Sequence, residues 1–210
     1  MSGEAEALRE PWASLRRQRE AASFGMWLFL GSEALLFGGL ILAFSVNRLL
    51  HPDAFAGAGH ETNVVYGTVN TVVLLTSSLA MAVGAEAARA GLRELALLGL
   101  SLTLALAVAF LVIKGFEWSA DIDEGLFPGQ AFKLAPPAAG IFFAFYWFMT
   151  GLHGLHVTAG ISVIAWITWQ AWRGERPLES PAFEAAALYW HLVDIVWVFL
   201  YPLLYLGGRS

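Results

Sequence analysis

Five long apolar stretches, separated by short polar segments, set the organisation of the chain: residues 24–46, 64–88, 95–116, 138–172 and 183–206. Each supplies the roughly 20 apolar residues that a helix needs to cross about 30 Å of hydrocarbon. The pattern therefore predicts an all-α, polytopic membrane protein, a bundle of five transmembrane helices over residues 23–210. Residues 1–22, rich in Glu, Arg and Ala, read as a polar cytoplasmic lead-in that forms an amphipathic helix. The second stretch carries Thr68, Thr71, Thr76, Ser77, Ser78, Ala80, Ala82, Gly84 and Ala85. Small side chains of this kind let helix backbones approach closely where lipid removes most of the hydrophobic drive. The third stretch is almost purely aliphatic, has nothing chemical along most of its length, and predicts broad lipid exposure. Between the stretches, residues 47–63 with Pro52 read as a polar loop, Gly91 as a tight turn between Arg89 and Arg93, and Asp121, Asp123 and Glu124 as part of an acidic loop that closes at Lys133 and Pro136-Pro137.

Composition agrees with this pattern. Hydrophobic residues make up 58% of the 210 positions and charged residues only 14%, with a mean hydropathy of +0.61. The charges sit in clusters between apolar runs, so the net charge of -5 says little about partners. The Arg16, Arg17 and Arg19 patch directly precedes an apolar stretch and reads as a topology anchor rather than a nucleic-acid surface. The absence of cysteine excludes disulfides, thiolate metal sites and iron–sulfur clusters. The first apolar run is too long for a signal-peptide core, which predicts no cleavable leader. Arg9, Arg16, Arg17, Arg19, Arg89, Arg93, Arg173 and Arg176 fall on one side of the five crossings; Arg48, Lys114, Lys133 and Arg209 fall on the other. The excess places the N-terminus inside and the C-terminus outside.

Away from the ends of the stretches stand five Asp, Glu or His residues, ionisable groups at depth: Glu33, His153, His156, His191 and Asp194. Polar groups at that depth are costly without a partner. At 1.5 Å of rise per residue all five fit one layer of the bundle. His153 and His156 are three apart on one helix face, as are His191 and Asp194. Three readings stay open. The histidines form a structural network satisfied by Glu33 and Asp194; or His153 or His156 faces His191 as a haem or metal ligand pair; or Glu33 belongs to a proton path, which is compatible with the first. A hydrolase using Ser77 or Ser78 lacks the strand-to-helix elbow that activates a serine. The acidic Asp121–Glu124 segment lacks the ordered ligand ladder of a calcium loop.

Five motifs, in order along the chain, add a resemblance. Met26-Trp-Leu-Phe-Leu-Gly-Ser-Glu-Ala-Leu-Leu-Phe-Gly-Gly39, Val69-Asn-Thr-Val-Val-Leu-Leu-Thr-Ser-Ser78, Lys114-Gly-Phe-Glu-Trp118, Thr150-Gly-Leu-His-Gly-Leu-His-Val157 and Tyr189-Trp-His-Leu-Val-Asp-Ile-Val-Trp-Val-Phe-Leu200 resemble subunit III of the haem–copper terminal oxidases. The chain is similar to the shorter bacterial form, which lacks the first two helices of the seven-helix members. The resemblance implies a non-redox accessory subunit of a cytochrome c oxidase, or alternatively of a quinol oxidase or a nitric oxide reductase. The oxidase reduces oxygen to water and pumps protons in a bacterial plasma membrane. Subunit I, which holds the haems and copper, is the implied direct partner, with subunit II, small subunits and phospholipid alongside; no cofactor is implied in this chain. By residue, Glu33 takes the place of the family's carbodiimide-reactive carboxylate near the entry of a proton path. His153, His156, His191 and Asp194 form the polar interior that supports it.

Overall fold

In the computed structural model, which describes residues 15–129, 132–134, 137–174 and 181–209, every regular element is helical. Helix α1 spans Leu15–Leu50, α2 Pro52–Glu61, α3 Val64–Arg89, α4 Arg93–Asp123, α5 Pro137–Trp172 and α6 Pro181–Tyr201, which continues into a π-helical turn, Pro202–Leu206. Five of these, all but α2, are long and apolar enough to cross a membrane. The predicted all-α bundle of five spanning helices is what folds.

The helices run past the ends of the apolar stretches because hydropathy marks where the bilayer is, not where backbone hydrogen bonding stops. At the start of α1 the lead-in continues as helix and carries an Arg16–Glu20 pair at 3.1 Å, an i,i+4 spacing that suits a solvated face. The lead-in before residue 15 lies outside the described residues.

The expected loop 47–63 is largely helical. Pro52 sits in the first turn of α2, where a missing N–H is harmless, and alanines follow it. Phe55 anchors α2 by packing edge-on to Phe44 and Phe142 at 5.2 and 5.6 Å between ring centres. The chain end returns over it: Arg209 Nη2 donates to His60 O and Thr62 O at 3.0 and 2.8 Å, and Arg48 donates to Gly207 O. This end of the bundle, with α2 and Arg209, is termed the distal end below; the end with Arg89, Arg93 and Trp172 is the proximal end. Arg93 closes the proximal end by donating to Ala171 O at 3.0 Å.

Helices α3 and α4 form the most intimate pair, as the small residues of the second stretch predict. A Cβ placed on Gly99 would lie 2.8 Å from both Ala80 O and Gly84 Cα, so the two backbones touch there. Thr103 Oγ1 reaches across to Ser77 O at 3.3 Å. Helix α6 packs on α3 through two indoles, Trp190 Nε1 donating to Ser77 Oγ at 3.2 Å and Trp197 Nε1 to Thr71 Oγ1 at 3.1 Å. Helix α1 contacts the bundle mainly through α5 and α6. Its opposite face is a stripe of Leu28, Leu35, Leu42 and Leu49, 66–82% exposed, a contiguous apolar face that the described residues leave uncovered.

The acidic loop expected at Asp121–Glu124 is for the most part helix. Helix α4 continues to Asp123 and stops at Gly125, whose φ of +75° admits the left-handed cap, with Leu126 N donating back to Asp121 O at 2.9 Å. That extension carries Lys114, Glu117 and Asp121 inward instead of leaving the carboxylates in water.

Candidate functional sites: a proton-sharing pair and a buried ionic network

The five ionisable residues of the apolar stretches do not form one network. Glu33 and His156 meet: Glu33 Oε2 lies 2.9 Å from His156 Nε2, with both side chains about 15% exposed. The other ring nitrogen, Nδ1, is 2.8 Å from Leu152 O one turn back. A carbonyl can only accept, so Nδ1 carries a proton, and Phe37 flanks the ring edge-on at 5.3 Å. Tyr189 of α6 braces the same place by donating its hydroxyl to His156 O at 2.9 Å.

His153 stands apart. It is 1% exposed and held between Phe110, edge-on at 5.6 Å, and the indole of Trp197 at 5.1 Å, and neither ring nitrogen has a hydrogen-bond partner among the described residues. His191 turns to α3, where Nδ1 is 2.8 Å from Ser78 Oγ. Asp194 is buried on α6 beside Ser78, the hydroxyl that meets His191, and among the described residues its carboxylate pairs directly with no histidine, contrary to the expected network. His156 is unavailable as a haem or metal ligand, because both its ring nitrogens are committed, to Glu33 and to Leu152 O.

The larger polar assembly is one that the apolar-stretch reading passed over. Near the distal end Lys114 and Glu117, 2% and 1% exposed, form a 3.0 Å ion pair through Nζ and Oε2. Lys114 Nζ also donates to Tyr146 Oη at 3.1 Å and Tyr205 Oη at 2.6 Å. Tyr205 Oη is 2.6 Å from Glu117 Oε1, and Tyr146 Oη is 2.8 Å from Glu117 Oε1 and 2.7 Å from Asp121 Oδ2. Three helices supply this site: α4 gives Lys114, Glu117 and Asp121 on one face at i, i+3 and i+7, α5 gives Tyr146, and the π-helical turn after α6 gives Tyr205. Four aromatic rings, those of Trp118, Tyr146, Trp197 and Tyr205, surround the ammonium, with the Tyr146 ring centre 4.7 Å from Nζ. Asn70, also buried and unbonded on α3, was missed as well. The i, i+3, i+7 spacing of Lys114, Glu117 and Asp121 is the signal the sequence carries, and it joins the three only where α4 continues beyond its apolar stretch to Asp121.

The family model for cytochrome c oxidase subunit III matches residues 16–209. That is nearly the whole chain. The chain belongs to the cytochrome c oxidase subunit III family. It is 33% identical over 210 residues to cytochrome c oxidase subunit 3 of Pylaiella littoralis, covering 97% of this chain and 72% of the relative. It is 29% identical to the cytochrome bo(3) ubiquinol oxidase subunit 3 of Pseudomonas aeruginosa, over 88% of this chain and 84% of that one. A third relative, the heme-copper oxidase subunit I+III of Aeropyrum pernix, is 30% identical over 86% of this chain and 22% of its own length. The five-motif resemblance is thereby borne out: this is subunit III of a haem–copper oxidase, a multi-pass membrane protein working within an oxidoreductase complex. Among its described residues no group of three or more His, Asp or Glu side chains is placed to hold a metal ion.

Proposed function

We propose that this subunit III serves a cytochrome c oxidase in a bacterial plasma membrane, carries no redox centre of its own, and feeds protons towards the catalytic subunit through the Glu33–His156 pair. The observation that carries the reading is the bonding of His156. With Nδ1 fixed as a donor to Leu152 O, the short Glu33–Nε2 contact holds one proton between two bases. Either the glutamic acid donates to a neutral imidazole or an imidazolium donates to a carboxylate. The proton crosses between these states along the existing bond with no side-chain movement, which is what a relay group must do.

The pair keeps about 15% of each side chain exposed, so that side of it is completed from outside this chain. Direct packing on subunit I is supported by the Aeropyrum relative, whose name joins I and III in one protein. Subunit II and small subunits complete the complex, and phospholipid covers what they leave of the α1 leucine stripe. The arginines of the proximal end, including Arg16, Arg89 and Arg93, support a cytoplasmic position for that end and the N-terminus by the positive-inside rule.

The test is Glu33→Ala in the intact oxidase isolated through a tag on this chain. Haem and copper signals in the isolated complex should match the parent, showing assembly. Proton uptake, followed with a pH indicator after oxygen mixing, should slow, or the enzyme should inactivate sooner during turnover. Unchanged uptake and unchanged working life would confine Glu33 to packing.

A further inference from the structure

The distal network has too few protons to satisfy its own contacts, and the shortage identifies a second proton-binding site. The Lys114 ammonium donates to Tyr146 Oη and Tyr205 Oη and forms an ion pair with Glu117 Oε2 at 3.0 Å. The Tyr205 hydroxyl proton goes to Glu117 Oε1. What remains is a single phenol proton on Tyr146 for two oxygens, Glu117 Oε1 at 2.8 Å and Asp121 Oδ2 at 2.7 Å. Two oxygens at such a distance attract only with a proton between them. One further proton closes the set: Asp121 Oδ2–H donates to Tyr146 Oη, and Tyr146 donates to Glu117.

Asp121 is the carboxyl to carry it. Glu117 already receives the ammonium and a phenol, both of which favour its ionised form, whereas Asp121 has only the Tyr146 hydroxyl among these groups. With Asp121 neutral the buried charges reduce to one ammonium and one carboxylate in contact, the arrangement that burial tolerates; with it ionised an uncompensated negative charge remains.

The site also has a route to water. Asp121 and Glu117 line a cleft of about 350 Å³ at the distal end, walled by residues 60–66, Ala120, Glu124 and Arg209. Among the described residues, the titratable and charged groups that face Asp121 or share its cleft are Lys114 and Glu117 on α4, Glu124 just past its end, Tyr146 on α5, His60 and Glu61 at the end of α2, Tyr66 on α3, and Tyr205 and Arg209 after α6. We propose that Asp121 and Tyr146 form an exchangeable proton site of this subunit, loaded from and emptied into the water of the distal cleft, at the opposite end of the bundle from the proximal arginines. In loading, a proton from cleft water binds Asp121 Oδ2; in unloading it returns there, and Lys114, Tyr146 and Tyr205 keep their own.

The experiment is infrared difference spectroscopy of the whole oxidase on exchange from H₂O to ²H₂O, comparing the parent with Asp121→Asn and Glu33→Gln. The expected result is an exchangeable band of a protonated carboxyl that shifts in ²H₂O, is missing from Asp121→Asn and persists in Glu33→Gln. No band lost in Asp121→Asn would mean that Tyr146 splits its proton between two carboxylates, and a lost band that never exchanges would close the cleft route; either overturns the proposal. Should Asp121→Asn fail to assemble, Tyr146→Phe takes its place: removing the acceptor of the Asp121 proton should move the band, and an unmoved band is equally decisive against it. Loss of the proton-uptake phenotype at Glu33 would remove the proximal reading without touching this band.

Discussion

The Glu33–His156 pair and the Lys114 network hold similar chemistry in opposite settings. The pair stands on two helices, remains about 15% exposed, and meets the rim of α1, the helix with the most open face. The network draws on three helices, is almost fully buried, and makes its main contacts within its own chain. A site finished inside the subunit is part of what holds the subunit together, whereas a site left open at the rim depends on whatever docks there. Stability should accordingly concentrate at the distal end and functional sensitivity at the pair.

The sharpest way to break this contrast is Glu117→Ala. Removing one partner of a buried ion pair leaves the other charge uncompensated, at a cost of about 3–5 kcal/mol. Lys114 would keep two phenols but no carboxylate in contact, since Asp121 reaches it only through Tyr146. The expected outcome is a large drop in the thermal midpoint of this subunit within the oxidase, or its loss from the purified complex. Glu33→Gln should retain assembly and a midpoint near the parent's. Equal midpoints for the two variants would end the distinction between a closed and an open site.

A smaller effect sharpens it. Tyr205→Phe keeps the ring beside Lys114 but removes one donor to Glu117 and one acceptor for the ammonium. Hydrogen bonds to charged groups contribute about 1.5–3 kcal/mol. The variant should therefore assemble yet melt between the parent and Glu117→Ala, as read by differential scanning fluorimetry of the complex. A midpoint equal to the parent's would show that the phenol at 205 only fills space.

How far the sequence reveals these two regions depends on the kind of signal each gives. The five crossings are legible because about 30 Å of hydrocarbon imposes a length that apolar runs display directly. Glu33 and His156 stand out as polar interruptions in such runs, although their pairing does not, since nothing local links residues on the first and fourth stretches. The distal network is hidden for a different reason. Lys114, Glu117 and Asp121 lie where apolar periodicity fades, and charged residues at a span's end ordinarily face water. Helix α4 runs on to Asp123 before the cap at Gly125 ends it, and that extension puts Glu117 and Asp121 on the buried face with Lys114. Tyr146 and Tyr205 look like interface aromatics until the fold brings their hydroxyls to one ammonium. Helix α2 escapes notice because Pro52, His51 and the glycines read as loop residues, while its anchor, Phe55, is a single aromatic.

His153 lies between the two regions, three residues from His156 and within electrostatic range of both His156 and Lys114. Its place in the sequence suggests membership of the proximal pair, but its ring packs against Phe110 and Trp197 and makes no hydrogen bond among the described residues. If it acts as packing, His153→Leu, an apolar side chain of similar size, should cost under about 1.5 kcal/mol and should relieve a buried polar group of its unmet bonds. Assembly, proton uptake and working life should then stay at the parent's values even though Glu33→Ala changes them. A loss of proton uptake in His153→Leu with the complex intact would mean that an internal water bridges the imidazole to His156 or Lys114. The two polar regions would then be joined through this residue rather than separated by it.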